Sequence, residues 1–294
     1  MSIELRLTNV DPPEPEPKRT IYRDIVNLPD PVKLGITTRY FNYDDVGLYF
    51  QITGSATGYT FGTVNLGLLG SGANAYQNLD EFTSRAKPSA EVTESITLTL
   101  KAYTDSGYTN LKWTYDRVVT VVFINSADPS YTVDVNNNFD DGTVQGWASA
   151  IEAGSSYSIA VATDYVLTIP YSLRGNLIGD VSQVRGRLYK SFITPNKDII
   201  YAIIDIRIGE QTGQPGGNLK NLTIQRNTTL LIYIGRPYDN VAAHYYPKNK
   251  WIRCVVPLPK NTTLEIRIIF ENYQIFIPQA NMYTWLDDFK IISK

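Results

Sequence analysis

The sequence holds one cysteine, Cys254, and one histidine, His244, in 294 residues. One cysteine closes no intrachain disulfide and builds no cysteine zinc cluster. One imidazole excludes the paired histidines of an H-E-x-x-H centre. A Cys–His dyad stays formally open. However, Cys254 lies within Trp251-Ile252-Arg253-Cys254-Val255-Val256, a strand pattern in which a free thiol behaves as a small hydrophobe. Charge is also sparse. Asp, Glu, Lys and Arg make up 19% of the chain, below the roughly 25% of an average domain. With 27 basic against 29 acidic residues the net charge is −2, which argues against a protein that holds nucleic acid by phosphate neutralisation. Long apolar runs are missing too. The longest, residues 118–124, includes Thr120 and is far short of a membrane span of about 20 residues. Glu4 and Arg6 interrupt any signal-peptide core at the start. Neither nucleic acid nor membrane insertion is expected.

What is present is β pattern nearly throughout. Ile3, Leu5 and Leu7 alternate with Ser2, Glu4 and Arg6, which is strand periodicity. Asp11-Pro12-Pro13-Glu14-Pro15-Glu16-Pro17-Lys18 then forms a stiff, extended tether. So short an amphipathic strand must join a sheet. It is either the first strand of the next domain or a strand donated through Ile3, Leu5 and Leu7 to a neighbouring subunit. Residues 19–128 read as an all-β unit. Residues 96–103 alternate without a break, residues 117–124 are β-branched, and Asp105-Ser106-Gly107 makes a turn. One short helix is expected over residues 79–86, capped by Asn78 and Glu81 and stopped by Pro88. Asn125-Ser126-Ala127-Asp128-Pro129-Ser130 is a turn-rich junction. Beyond it come further strand patterns, at 158–162, 189–192, 199–208, 222–225, 229–234, 251–258, 263–270, 273–277 and 285–292. The expected architecture is an N-terminal strand and proline tether (1–18) followed by two tandem β-sandwiches, 19–128 and 129–294.

Two segments of the second half form a pair: Asn138-Phe139-Asp140-Asp141-Gly142-Thr143-Val144-Gln145-Gly146-Trp147 and Trp285-Leu286-Asp287-Asp288-Phe289-Lys290-Ile291. They resemble the opening and closing strands of jelly-roll carbohydrate-binding modules, the galactose-binding-like sandwiches. Trp251-Ile252-Arg253-Cys254-Val255-Val256-Pro257-Leu258 looks like a middle strand of the same modules. The resemblance covers about residues 134–294 and implies a jelly roll there. It also implies one structural calcium ion at Asp140, Asp141, Asp287 and Asp288, a set of hard oxygen donors suited to such an ion. Glycan binding is implied through exposed aromatic rings. Tyr238, Tyr245 and Tyr246, in the polar connection 235–250, are the candidates. Trp147, Trp251 and Trp285 are expected in the core. The first half resembles an immunoglobulin- or fibronectin-type accessory sandwich of surface proteins, such as those of thermophilic archaea or their viruses. It lacks the Cys…Trp…Cys pattern of antibody domains.

Catalytic chemistry is not expected. The doublets Asp44-Asp45, Asp140-Asp141 and Asp287-Asp288 point their members to opposite strand faces, so none is a glycosidase carboxylate pair. Gly67-Leu68-Leu69-Gly70-Ser71-Gly72 lacks the Lys-Ser/Thr of a phosphate loop, and no nucleophile elbow occurs. The sequence therefore reads as a non-enzymatic surface or virion structural protein. In that reading it self-associates into a homopolymeric filament, fibre or spike by strand donation, with the jelly roll pointing outward for attachment. The alternative is a monomeric glycan-binding protein. Either would act at an extracellular or virion surface.

Overall fold

The computed structural model describes residues 3–7, 20–32, 34, 36–79, 83–153, 156–168, 170–179, 184–212, 221–227, 229–233, 251–272 and 280–294. Among the described residues the regular structure is β, apart from one short 3₁₀ turn, Ile25–Asn27. The chain forms two compact units, Met1–Asn125 and Ser126–Lys294, which divide inside the turn-rich junction. No helix among the described residues is long and apolar enough to cross a membrane.

The first unit is a sandwich. One sheet has the order β1 (Ile3–Leu7), β3 (Thr37–Asn42), β7 (Asn74–Asn78). The facing sheet has the order β2 (Thr20–Asp24), β10 (Leu111–Ile124), β9 (Val92–Tyr103), β4 (Leu48–Ser55), β6 (Val64–Leu69). β2 runs parallel to β10, while β4, β6, β9 and β10 pair antiparallel. Alternation sends Leu48, Phe50 and Ile52 of β4 and Ile96, Leu98, Leu100 and Ala102 of β9 inward. There they meet Ile3, Leu5 and Tyr40 from the smaller sheet.

Two expectations are corrected here. β1 is housed in its own molecule: it pairs antiparallel with β3, Ile3 opposite Asn42, Leu5 opposite Tyr40 and Leu7 opposite Thr38. Ile3 and Leu5 are fully part of this unit's core. The arrangement is the intramolecular option rather than donation, because β3 offers an edge and the core a place for both side chains. The expected helix over 79–86 is also corrected where the structure describes it: Thr83–Arg85 form β8, which pairs with β5 (Tyr59–Phe61), while residues 80–82 lie outside the described residues. Arg85 explains the override. Its guanidinium lies over the rings of Tyr59 and Phe123 and pairs with Glu94, contacts that outweigh a weak helical preference.

The second unit is also a sandwich. One sheet has the order β13 (Ser156–Ala162), β14 (Ser172–Gly179), β21 (Ala280–Ser293), β16 (Ile200–Thr212), β19 (Trp251–Pro257), with β11 (Thr132–Asn137) on the C-terminal half of β21. The other has the order β12 (Ala148–Ala153), β15 (Val184–Ile193), β20 (Thr263–Asn272), β17 (Asn221–Arg226), β18 (Thr229–Tyr233). Leu173, Ile204, Ile206, Val256, Leu286 and Ile291 of the first sheet pack against Leu188, Ile224, Ile266 and Ile268 of the second. Cys254 lies buried in this core. The opening motif meets the closing one, as Trp147 stands edge-on to Phe289 with ring centroids 5.1 Å apart.

Candidate functional site

The side of the β14–β21–β16–β19 sheet that faces away from the core carries an unusual row. Leu286, Ile206 and Ile252 point inward, so their strand neighbours Trp285, Arg207 and Trp251 point outward. The registers place Arg174 of β14 opposite Trp285 of β21, Trp285 opposite Arg207 of β16, and Arg207 opposite Trp251 of β19. Four adjacent strands thus present Arg, Trp, Arg and Trp in line.

The loop before β14 closes over this row. Tyr165, 53% exposed, sets its ring edge against Trp285 at 4.9 Å, and the Arg207 guanidinium lies 4.0 Å from the same ring. Tyr283, two residues before Trp285 and on the same face, holds its ring 6.1 Å from the indole, with Arg174 5.6 Å above it. Arg174 also pairs with Asp164 at 3.3 Å. Beneath Tyr165 the indole is 4% exposed, and its Nε1–H is buried without a hydrogen-bond acceptor among the described residues. Tyr165 has a left-handed backbone, φ +54°, which costs a non-glycine residue on the order of 1–2 kcal/mol.

Asp287 anchors that loop. Its carboxylate accepts the backbone N–H groups of Leu167 (2.9 Å), Thr168 (3.0 Å) and Asp288 (2.8 Å) and the Thr168 hydroxyl (3.3 Å). Burial pushes its carboxyl up from the ordinary value, against the pull of those donors. Its cross-strand neighbour Asp205 is buried and bound to Arg253, Nε to Oδ1 2.9 Å. Burial raises the Asp205 carboxyl as well, against the favourable Arg253 charge. The two carboxylates stand side by side on adjacent strands, but both are closed to solvent and committed to protein donors. They brace the sheet.

The four calcium candidates do not form one ligand set. Asp140 and Asp141 are exposed in the opening turn and satisfied locally, by Asn138 Nδ2 and by the Thr143 N–H and hydroxyl. Asp287 is saturated as described, and Asp288 faces Lys290 at 3.2 Å. Among the described residues no three of His, Cys, Asp or Glu gather at one point. A cation does tie down the opening loop, but it is an ammonium. Lys190 Nζ donates to Asn137 Oδ1 and to the Gln145 carbonyl, each at 2.7 Å. Its partial burial lowers its pKa. The residues present therefore do not fit a calcium ion.

Tyr238, Tyr245 and Tyr246 lie outside the described residues. Trp147 is in the core as expected; Trp285 is buried as expected, but on the opposite face of its sheet, and Trp251 is half-buried on that same face. In the sequence, the Arg174 and Arg207 partners carried no signal, since each lies in an ordinary strand pattern.

No protein-family model and no curated protein matches the chain. Several solved structures match at low similarity. One, from a study of the promiscuous specificity of carbohydrate-binding modules of the β-sandwich superfamily, is 12% identical with a TM-score of 0.39, covering 99% of this chain and 98% of that one. The tandem CBM22-1–CBM22-2 domain of Paenibacillus barcinonensis Xyn10C is 7% identical with a TM-score of 0.36, covering 99% and 91%. The K1 cleaved adhesin domain of the Porphyromonas gingivalis Lys-gingipain is 12% identical with a TM-score of 0.37, covering 55% and 99%. At these scores what those proteins bind is a property of theirs alone.

Proposed function

We propose that the second unit is a carbohydrate-binding module that holds a glycan on its outer sheet face, along the row Arg174–Trp285–Arg207–Trp251. The observation that carries this reading is the row itself, with Tyr165 above it. The exposed ring of Tyr165 and the half-buried ring of Trp251 supply flat apolar faces for the C–H face of a pyranose. The guanidinium groups of the row supply fixed donors for ring hydroxyls. A buried indole N–H without an acceptor adds a donor that a sugar oxygen reaches once Tyr165 moves aside. The opening and closing motifs, which resemble those of jelly-roll carbohydrate-binding modules, agree with this assignment. Its place of action is then outside the cell, where polysaccharides are found.

Affinity electrophoresis of the full chain in gels containing xylan, β-1,4-galactan, mannan or dextran tests the proposal. At least one polysaccharide retards the wild type. Arg207→Ala and Trp251→Ala each weaken the interaction roughly tenfold, a loss of about 1.4 kcal/mol. Unretarded migration in every gel, or full retardation of both variants, would overturn it.

A further inference from the structure

The first unit carries a second aromatic arrangement outside its main core cluster, centred on Tyr103, which is itself buried. The registers set Leu68 of β6 opposite Tyr49 of β4, Tyr49 opposite Tyr103 of β9, and Tyr103 opposite Leu111 of β10. Leu48, Phe50 and Ala102 point into the core, so this row faces away from it. Tyr108, from the β9–β10 turn, stands edge-on to Tyr103 at 5.5 Å and to Tyr49 at 6.3 Å.

Tyr108 is held there against its backbone preference, at φ +55°. The Asp105 carboxylate braces the turn by accepting the N–H groups of Gly107, Thr109 and Asn110 and the Thr109 hydroxyl. The Tyr108 hydroxyl accepts the Gly67 N–H at 3.1 Å. Tyr108 covers the buried Tyr103, and a strained residue braced in advance at a surface is a mark of a functional site. The second unit has the same construction: a left-handed tyrosine, Tyr165, over an aromatic row on an outward sheet face.

We infer that the Leu68–Tyr49–Tyr103–Leu111 row, with Tyr108 above it, is a second glycan-binding surface that takes a neutral oligosaccharide. The inference rests on the reading of the second unit as glycan-binding, because the shared construction selects the ligand class. The local chemistry fits. Next to the tyrosine row, Asn65, Gln51 and Lys101 stand opposite one another. Gln51 donates to Asn65 Oδ1 at 2.9 Å and accepts from the Tyr103 hydroxyl at 3.3 Å. Rings bordered by amides match a sugar's apolar face and its equatorial hydroxyls. Lys101 is the one full charge in the two rows, and the tyrosines, amides and leucines around it are neutral. Leu68 and Leu111, 62% and 54% exposed, mark the ends of the row. Three strand spacings separate them, about 14 Å, the reach of an oligosaccharide rather than of one sugar. A protein partner would want an apolar centre and a polar rim. Here the exposed leucines are at the ends and the tyrosine hydroxyls and amides lie between.

Calorimetry on the full chain tests this, using a hexasaccharide of whichever polysaccharide retards the wild type most. The wild type takes two oligosaccharides per chain. Tyr108→Gly, which suits the left-handed backbone and removes the ring, takes one, and so does Tyr49→Ala. In gels, Arg207→Ala keeps a residual retardation that is abolished when Tyr108→Gly is added. Circular dichroism melts establish that each variant is folded. One site in the wild type, with Tyr108→Gly binding as tightly as wild type and Arg207→Ala losing all retardation, would overturn this inference and leave the second-unit site standing. A wild type that binds no polysaccharide would overturn both.

Discussion

Single residues in this protein are placed by what surrounds them more than by what they are. Trp147 and Trp285 both sit in motif positions, and both are nearly fully buried, yet one fills the core and the other lies on the opposite face beneath Tyr165. The sequence does not separate them. The sheet that carries Trp285 is apolar on both sides, with Ile203, Val255 and Ile292 buried on the outward face, so alternation alone does not say which side is the core. Asp287 shows how burial is used at this scale. Its raised carboxyl pKa means that the folded state keeps the proton to higher pH than the unfolded chain does. The stability it contributes is thus fully present below the ordinary carboxylate value, about pH 4, and declines as pH rises through the raised value. Asp287→Asn retains a carbonyl acceptor for the loop and has no such titration. The wild type's advantage in melting temperature over this variant shrinks as pH is raised from about 3 to about 7. Thermal melts across that range check it, and an advantage independent of pH contradicts the assignment.

At the scale of elements, the strands were legible and their neighbours were not. Alternation over residues 96–103 and β-branched content over 117–124 locate β9 and β10, and the tight turn between them follows from Asp105-Ser106-Gly107. The candidate site depends on register, which is set by long-range pairing. Arg174, Arg207, Trp251 and Trp285 come from four strands far apart in sequence, and irregularities in β16 between Ile203 and Asp205 and between Ile208 and Gln211 fix the alignment. No local pattern carries that information. β1 illustrates the same limit, since its amphipathic face demanded a sheet without naming one. Leu5→Asp loses roughly 1.5–3 kcal/mol of burial and further energy for the buried charge, so it lowers the melting point of the first unit. Because β1 pairs within its own chain, the size of that drop does not depend on protein concentration. A concentration-dependent drop would point to exchange between molecules. The opening loop of the second unit gives another element-scale test. Lys190 ties Asn137 to Gln145, so Lys190→Met loses about 1–3 kcal/mol from charged hydrogen bonds. Neither added calcium nor EDTA shifts the wild-type melt, and a calcium-induced rise would show that the aspartates do bind the ion.

For the whole molecule, the division into two units follows from two separate cores, each a sandwich with both sheets contributing. The two cores are not built from the chain in the same way. The second unit is organised around β21, which pairs with β11, β14 and β16 and supplies Leu286, Phe289 and Ile291 to the interior. A chain ending at residue 279 keeps a protease-resistant first unit and loses the second altogether. Limited proteolysis with mass spectrometry checks this, and a resistant fragment from the second half would contradict it.

Within the second unit β21 follows every strand it pairs with in chain order, and this has a bearing on synthesis. As the chain leaves the ribosome, the first sandwich closes early, while β14 and β16 emerge with the seat between them empty. Until Ala280–Ser293 arrives, those two edges and the apolar faces beside them stand open to solvent and to each other's copies on neighbouring ribosomes. In that interval the second unit has two unpaired strand edges, and a chaperone that shields strand edges would act there.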